Sequence, residues 1–173
     1  PMDYNGRKMV RAGSAPLDSA SGLARIKELA EANAFEKRAT IGKIRDVAEE
    51  ARAAYVERIC QFVDISALKP LKILVNAGHG TAGPTFDAIA ERLAELGAPL
   101  QFERIFHEPD GTFPQGIPNP LLPENRTTTA EAVRASGADF GVAWDGDFDR
   151  CFFFDHTGSF IDGEYVVGLL AEA

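Results

Sequence analysis

Between residues 71 and 144 the chain alternates strand, helix, strand, helix, strand, and that order leaves few ways to fold. Residues 71–75 (LKILV) form an apolar run of the kind found in a sheet covered on both faces. Residues 84–96 follow a helical pattern, with Pro84 in the first turn and Gly97 just past the end. Residues 100–106 (LQFERIF) are a strand, 124–135 a helix stopped at Gly137, and 140–144 (FGVAW) a strand. Parallel strands need crossovers, and the helices supply them, so a sheet with helices on both faces is expected. Only six residues separate FGVAW from CFFF at 151–154, too few for a crossover. Those two strands must form a hairpin, which makes the sheet mixed at that edge. A last helix starts at Gly163 and reaches the chain end, which cuts it short. The expected fold class is α/β, a three-layer α/β/α domain around a mixed sheet.

The first third is less regular. Residues 7–12 (RKMVRA) and 40–44 (TIGKI) are candidate strands. Residues 18–34 form an amphipathic helix, with Asp18 or Ser19 as its cap. Residues 46–63 place Val47, Ala51, Ala54, Tyr55, Ile59, Phe62 and Val63 at helical spacing. The expected division is therefore a partial first α/β domain over 1–45 and a second domain over 46–173. The chain opens at Pro1 without an initiator Met, so a preceding segment is expected.

Composition narrows the function. The 173 residues carry 18 Lys+Arg against 26 Asp+Glu, a formal net charge of −8, which argues against nonspecific nucleic-acid binding. Hydrophobic residues make up 45%, enough for a core, yet no apolar run approaches the roughly 18 residues that read as a membrane span. Cys60 and Cys151 form no disulfide framework and no metal-binding spacing, as expected of buried, reduced thiols in a cytoplasmic protein.

The most informative stretch is Asp145-Gly146-Asp147-Phe148-Asp149-Arg150. Carboxylates at alternate positions of an extended chain point to one side, and three of them together repel unless a cation neutralises them. Hard oxygen donors favour Mg²⁺ or Ca²⁺ over Zn²⁺, and Mg²⁺ completes its shell with water or phosphate. An EF-hand is excluded: counting from Asp145, position six is Arg150 rather than Gly, and position twelve is His156 rather than Glu. The competing reading is a solvated acidic hairpin tip. Arg150 either holds the loop together or meets a substrate phosphate.

Gly78-His79-Gly80-Thr81-Ala82-Gly83 fits G-x-G-x-x-G between a strand and a helix, with Glu103 twenty residues beyond Gly83. This allows a dinucleotide-binding module built on Gly78, Gly80, Gly83 and Glu103. Equally, the glycines permit only a tight turn and close helix packing. His79, His107 and His156 make no legible catalytic arrangement with a nucleophile.

Taken together, the segments PMDYNGRKMVRAG (1–13), NAGHGTAGP (76–84), FPQGIPNPLLPEN (113–125), GVAWDGDFDRCFFFD (141–155) and GEYVVGLLAEA (163–173) resemble the α-D-phosphohexomutase family. The likeness runs over essentially the whole chain and is nearest to the bacterial phosphomannomutase branch. The resemblance implies an isomerase of carbohydrate metabolism, a phosphomannomutase/phosphoglucomutase. Such an enzyme interconverts hexose 6-phosphate and hexose 1-phosphate through a bisphosphorylated sugar and an enzyme phosphoserine. It further implies that Asp145, Asp147 and Asp149 bind Mg²⁺, that Arg150 contacts the phosphate region, and that Lys8 is a general acid/base. Hexose phosphates are the implied partners, with no nucleic acid and no membrane.

The chain departs from that pattern in two respects. The phosphoserine motif T-A-S-H-N-P would end at Pro1, so the serine lies outside the chain and the chain alone is expected to be inactive. Phe148 stands where many members carry glycine, but phosphomannomutase-like members carry the same phenylalanine, so the resemblance implies a feature of that branch. A truncated first domain is also expected to expose apolar surface and to self-associate through it.

Overall fold

The computed structural model describes residues 6, 9–36, 40 and 42–172. It divides into two compact units, 3–46 and 47 onward.

In the later unit five strands form one sheet in the order β2-β1-β3-β4-β5. They are β1 (Leu71–Asn76), β2 (Leu100–Ile105), β3 (Phe140–Trp144), β4 (Cys151–Asp155) and β5 (Phe160–Ile161). β1 pairs in parallel with β2 and β3, whereas β3 pairs antiparallel with β4, and β4 with β5. The mixed sheet and its hairpin are those the sequence dictates. β5, two residues long, is too short to leave a pattern. The helices are α2 (Ala48–Cys60), α3 (Ala82–Glu95), α4 (Thr127–Ser136) and α5 (Gly163–Glu172). The 124–135 helix begins instead with a 3₁₀ turn at Pro123–Asn125 and ends at Gly137 in the left-handed conformation, φ 64°.

The period of two along the strands builds the three layers. Ile73, Val75, Val142 and Trp144 face Phe86 and Ala90 of α3. Leu74, Ala143 and Phe154 face Val133 of α4. α2 lies outside α3, with Val56 and Cys60 against Leu93. Gly141 admits the close approach of α4, since a Cβ there would collide with the Val133 side chain. Phe154 is fully buried, which contributes about 1.5–3 kcal/mol.

At the far end of β4 the Asp155 carboxylate accepts from the Thr157 hydroxyl at 2.6 Å, the Thr157 amide at 2.8 Å and the Ser159 amide at 2.9 Å. These bonds, the Thr157 hydroxyl foremost, hold its carboxyl below the ordinary value. A depressed native pKa stabilises above the unfolded value of about 3.9 and ceases to do so as pH falls through the native one. The melting-temperature gap between the parent and Asp155→Ala is therefore expected to be full at neutral pH and to close below about pH 4. A gap constant to pH 2 would contradict the assignment.

In the earlier unit α1 spans only Ala24–Glu31. The single helix expected over 18–34 is interrupted: Ser19–Leu23 is a π turn with Gly22 at φ 152°. Asp18 caps it, with Ser21 reciprocating. The strands expected at 7–12 and 40–44 do not form among the described residues. Only a bridge between Val10 and Pro16 is present, followed by a 3₁₀ turn at Ala12–Ser14. Strand backbone needs a neighbour for its amides and carbonyls, and no described segment of this unit supplies one. None of its described residues is buried. Lys8 lies outside the described residues. No helix among the described residues is long and apolar enough to cross a membrane.

Candidate metal and phosphate site

β3 delivers Asp145 directly from the sheet core. Trp144 and Asp145 are both buried, and the chain then turns through 146–150 before re-entering the sheet as β4. The turn is organised by Asp145 itself. Its Oδ1 accepts the backbone amides of Asp149 and Arg150, each at 3.1 Å, while its carbonyl accepts the Phe148 amide at 3.3 Å. Its Oδ2 accepts Arg150 Nε at 2.8 Å and lies 2.6 Å from Nη2 in an ion pair. Arg150 Nε also lies 3.4 Å from Asp149 Oδ1.

Three hydrogen-bond donors and one further ion-paired nitrogen thus surround the carboxylate. Arg150 acts as a tethered counter-charge, and an ion drawing on Asp145 must share it with the guanidinium. Burial pushes the Asp145 carboxyl above its ordinary value. The Arg150 amide and guanidinium oppose this, and the Asp147 carboxyl adds to it.

Asp145, Asp147 and Asp149 each present a carboxylate oxygen, all within 4.8 Å of one another, with the last two residues exposed. Three hard oxygen donors, converging on one side and open to solvent, suit a small divalent cation such as Mg²⁺ that keeps part of its shell for other ligands. The donor set therefore fits the ion that the resemblance implies.

Gly146 couples this loop to its surroundings. Its carbonyl accepts the Thr81 amide at 3.1 Å, and its Cα side faces Phe113 and Pro118. This contact explains the glycine motif. A Cβ on Gly80 would stand 2.7 Å from the Gly146 carbonyl oxygen. One on Gly83 would collide with the His107 carbonyl oxygen, and one on Gly78 with the Pro118 ring. The space the glycines clear is filled by the protein's own chain, so no pyrophosphate can approach there. Glu103 sits two residues short of the end of β2 and pairs with Lys72 Nζ at 3.5 Å. The dinucleotide reading of Gly78, Gly80, Gly83 and Glu103 is thereby corrected: the pattern serves packing beneath the acidic loop.

His79 is a turn residue, its Nδ1 paired with the Glu108 carbonyl at 2.9 Å. Cys60 is buried and reduced, but Cys151, at the start of β4 beside the acidic loop, is exposed rather than buried.

Comparison with known proteins identifies the family of the chain. Residues 53–158 match the family described as phosphoglucomutase/phosphomannomutase, alpha/beta/alpha domain II. A protein of Xanthomonas campestris pv. campestris named "Phosphohexose mutases" is 56% identical over all of this chain and 37% of its own length. A phosphomannomutase of Salmonella typhimurium is 53% identical over all of this chain and 38% of its own. Among solved structures, a phosphoglucomutase/phosphomannomutase family protein from Burkholderia thailandensis superposes with a TM-score of 0.70 at 30% identity. That match covers 94% of this chain and 32% of the other. The chain thus spans little more than a third of the curated relatives it matches.

Proposed function

The chain belongs to the phosphoglucomutase/phosphomannomutase family, and from that premise we propose that the whole protein is a phosphohexomutase. It would move a phosphoryl group between O6 and O1 of mannose or glucose by way of a bisphosphorylated sugar. The enzyme phosphoserine would be supplied from outside these 173 residues. The observation that carries this reading is the convergence of Asp145, Asp147 and Asp149 at the end of β3.

These three carboxylates would hold Mg²⁺. The ion, when bound, supplies positive charge against phosphate oxygens, the principal requirement of phosphoryl transfer. Asp145 fixes the turn and orients Arg150 through one charge-assisted hydrogen bond and a close ion pair. The Arg150 side chain is 47% exposed, so its outer edge can donate to a phosphate oxygen while its inner edge stays on Asp145. Lys8, in the segment 1–13 that resembles the family's, would take and return the proton of the sugar hydroxyl.

In a coupled assay the 173-residue chain is expected to turn over no mannose 1-phosphate. A chain extended to the length of its relatives is expected to do so, and to lose the activity with Asp147→Ala. Turnover by the short chain, or an extended Asp147→Ala variant as active as its parent, would contradict the proposal.

A further inference from the structure

Phe148 occupies the left-handed region, φ 66°, within the acidic loop. For a bulky side chain this conformation is unfavourable and must be held in place by its surroundings. The neighbour that holds it is visible. The Phe148 ring stands edge-on to Trp144, with centroids 5.4 Å apart and planes at 81°. Trp144 in turn packs on Phe86 of α3 at 5.3 Å, and Phe86 meets Phe102 of β2 edge-on at 5.0 Å. Phe148 is half-buried against this cluster, while its neighbours Asp147 and Asp149 are exposed.

The loop is therefore pinned at two points. Asp145 is anchored by hydrogen bonds at its start, and Phe148 is anchored by aromatic packing between the two exposed carboxylates. On either side of the packed ring Asp147 and Asp149 are exposed, and their carboxylate oxygens and that of Asp145 lie within 4.8 Å of one another.

We propose that Phe148 is a positioning residue, an aromatic anchor that pre-organises the three carboxylates for a divalent cation. This inference rests on the metal reading of the loop given above. Glycine at 148 would relieve the backbone strain but release the anchor. A loop limited by strain and one limited by anchoring therefore respond to Phe148→Gly in opposite directions.

The test uses terbium(III), a hard-oxygen-seeking luminescent ion, titrated into the full 173-residue chain. Trp144, the one tryptophan in the sequence, directly precedes Asp145 and serves as the sensitiser. Phe148→Gly is expected to weaken the terbium midpoint roughly tenfold, as loss of a residue supporting metal ligands does. Phe148→Tyr, which keeps the ring, should stay within about twofold of the parent, and Phe148→Leu should fall between. If Phe148→Gly fails to give the parent's circular dichroism, Phe148→Leu carries the test alone.

A merely structural role would lower the melting temperature and leave the terbium midpoint where it was. That outcome, or tighter binding by Phe148→Gly, overturns the inference while leaving the metal reading intact. A parent chain that gives no sensitised emission, or whose emission is indifferent to Asp147→Asn and Asp149→Asn together, overturns both.

Discussion

Replacing Asp145 with alanine is expected to abolish divalent-cation binding and to lower stability by about 2 kcal/mol. The carboxylate is 1% exposed and serves two backbone amides and both near nitrogens of Arg150. Removing it orphans the amides of Asp149 and Arg150 within the turn. Breaking a wholly buried ion pair costs more, but the Arg150 side chain is about half exposed and recovers hydration, which moderates the loss. The expected fall in melting temperature is roughly 4–8 °C. Asp145→Asn keeps an oxygen for the two amides and should lose less stability, yet it should bind no ion either. Calorimetric melting and metal titration of the two variants side by side separate the folding role from the ligating role. Unchanged metal affinity in either variant would remove Asp145 from the site.

A second large effect is expected at Gly83, in the first turn of α3. Its missing Cβ faces the His107 carbonyl oxygen, and the next atom, the His107 carbonyl carbon, is 3.2 Å away. Both are main-chain atoms, so no side chain can swing aside. Gly83→Ala must push the start of α3 off the end of β2, at a cost of about 3 kcal/mol. In melting temperature that is roughly 6–12 °C. The parent is expected to show no affinity for NAD⁺, because the same contact denies a pyrophosphate its approach. An alanine variant as stable as the parent would contradict this packing role, and measurable NAD⁺ binding lost in that variant would restore the dinucleotide reading.

The sequence made the sheet of the later unit legible because its strands are short apolar runs bounded by turn signals. The spacing between FGVAW and CFFF could only be a hairpin. In the earlier unit no strand forms among the described residues of 7–12 and 40–44, since β-branched or apolar content cannot make a strand without a partner to complete its hydrogen bonds. The glycine motif was readable only as a demand for small residues. What occupies the cleared space, Gly146, Pro118 and the His107 carbonyl, is a tertiary fact with no local signal. The acidic loop is legible in its alternating carboxylates, but their unequal roles are not. That Asp145 is buried and bonded to Arg150 follows from its place at the end of an interior strand. Phe148 carried a hint, since an aromatic residue between exposed carboxylates has to pack somewhere, and Trp144 is four residues back.

The proposed chemistry requires the three carboxylates to converge on one ion. A crystal of this chain grown with magnesium and a sugar phosphate tests it most directly. The expected result is a peak about 2.1 Å from an oxygen of each of Asp145, Asp147 and Asp149, with water or phosphate completing the shell. Carboxylates of Asp147 and Asp149 turned apart into solvent, with Arg150 still alone on Asp145, would contradict it.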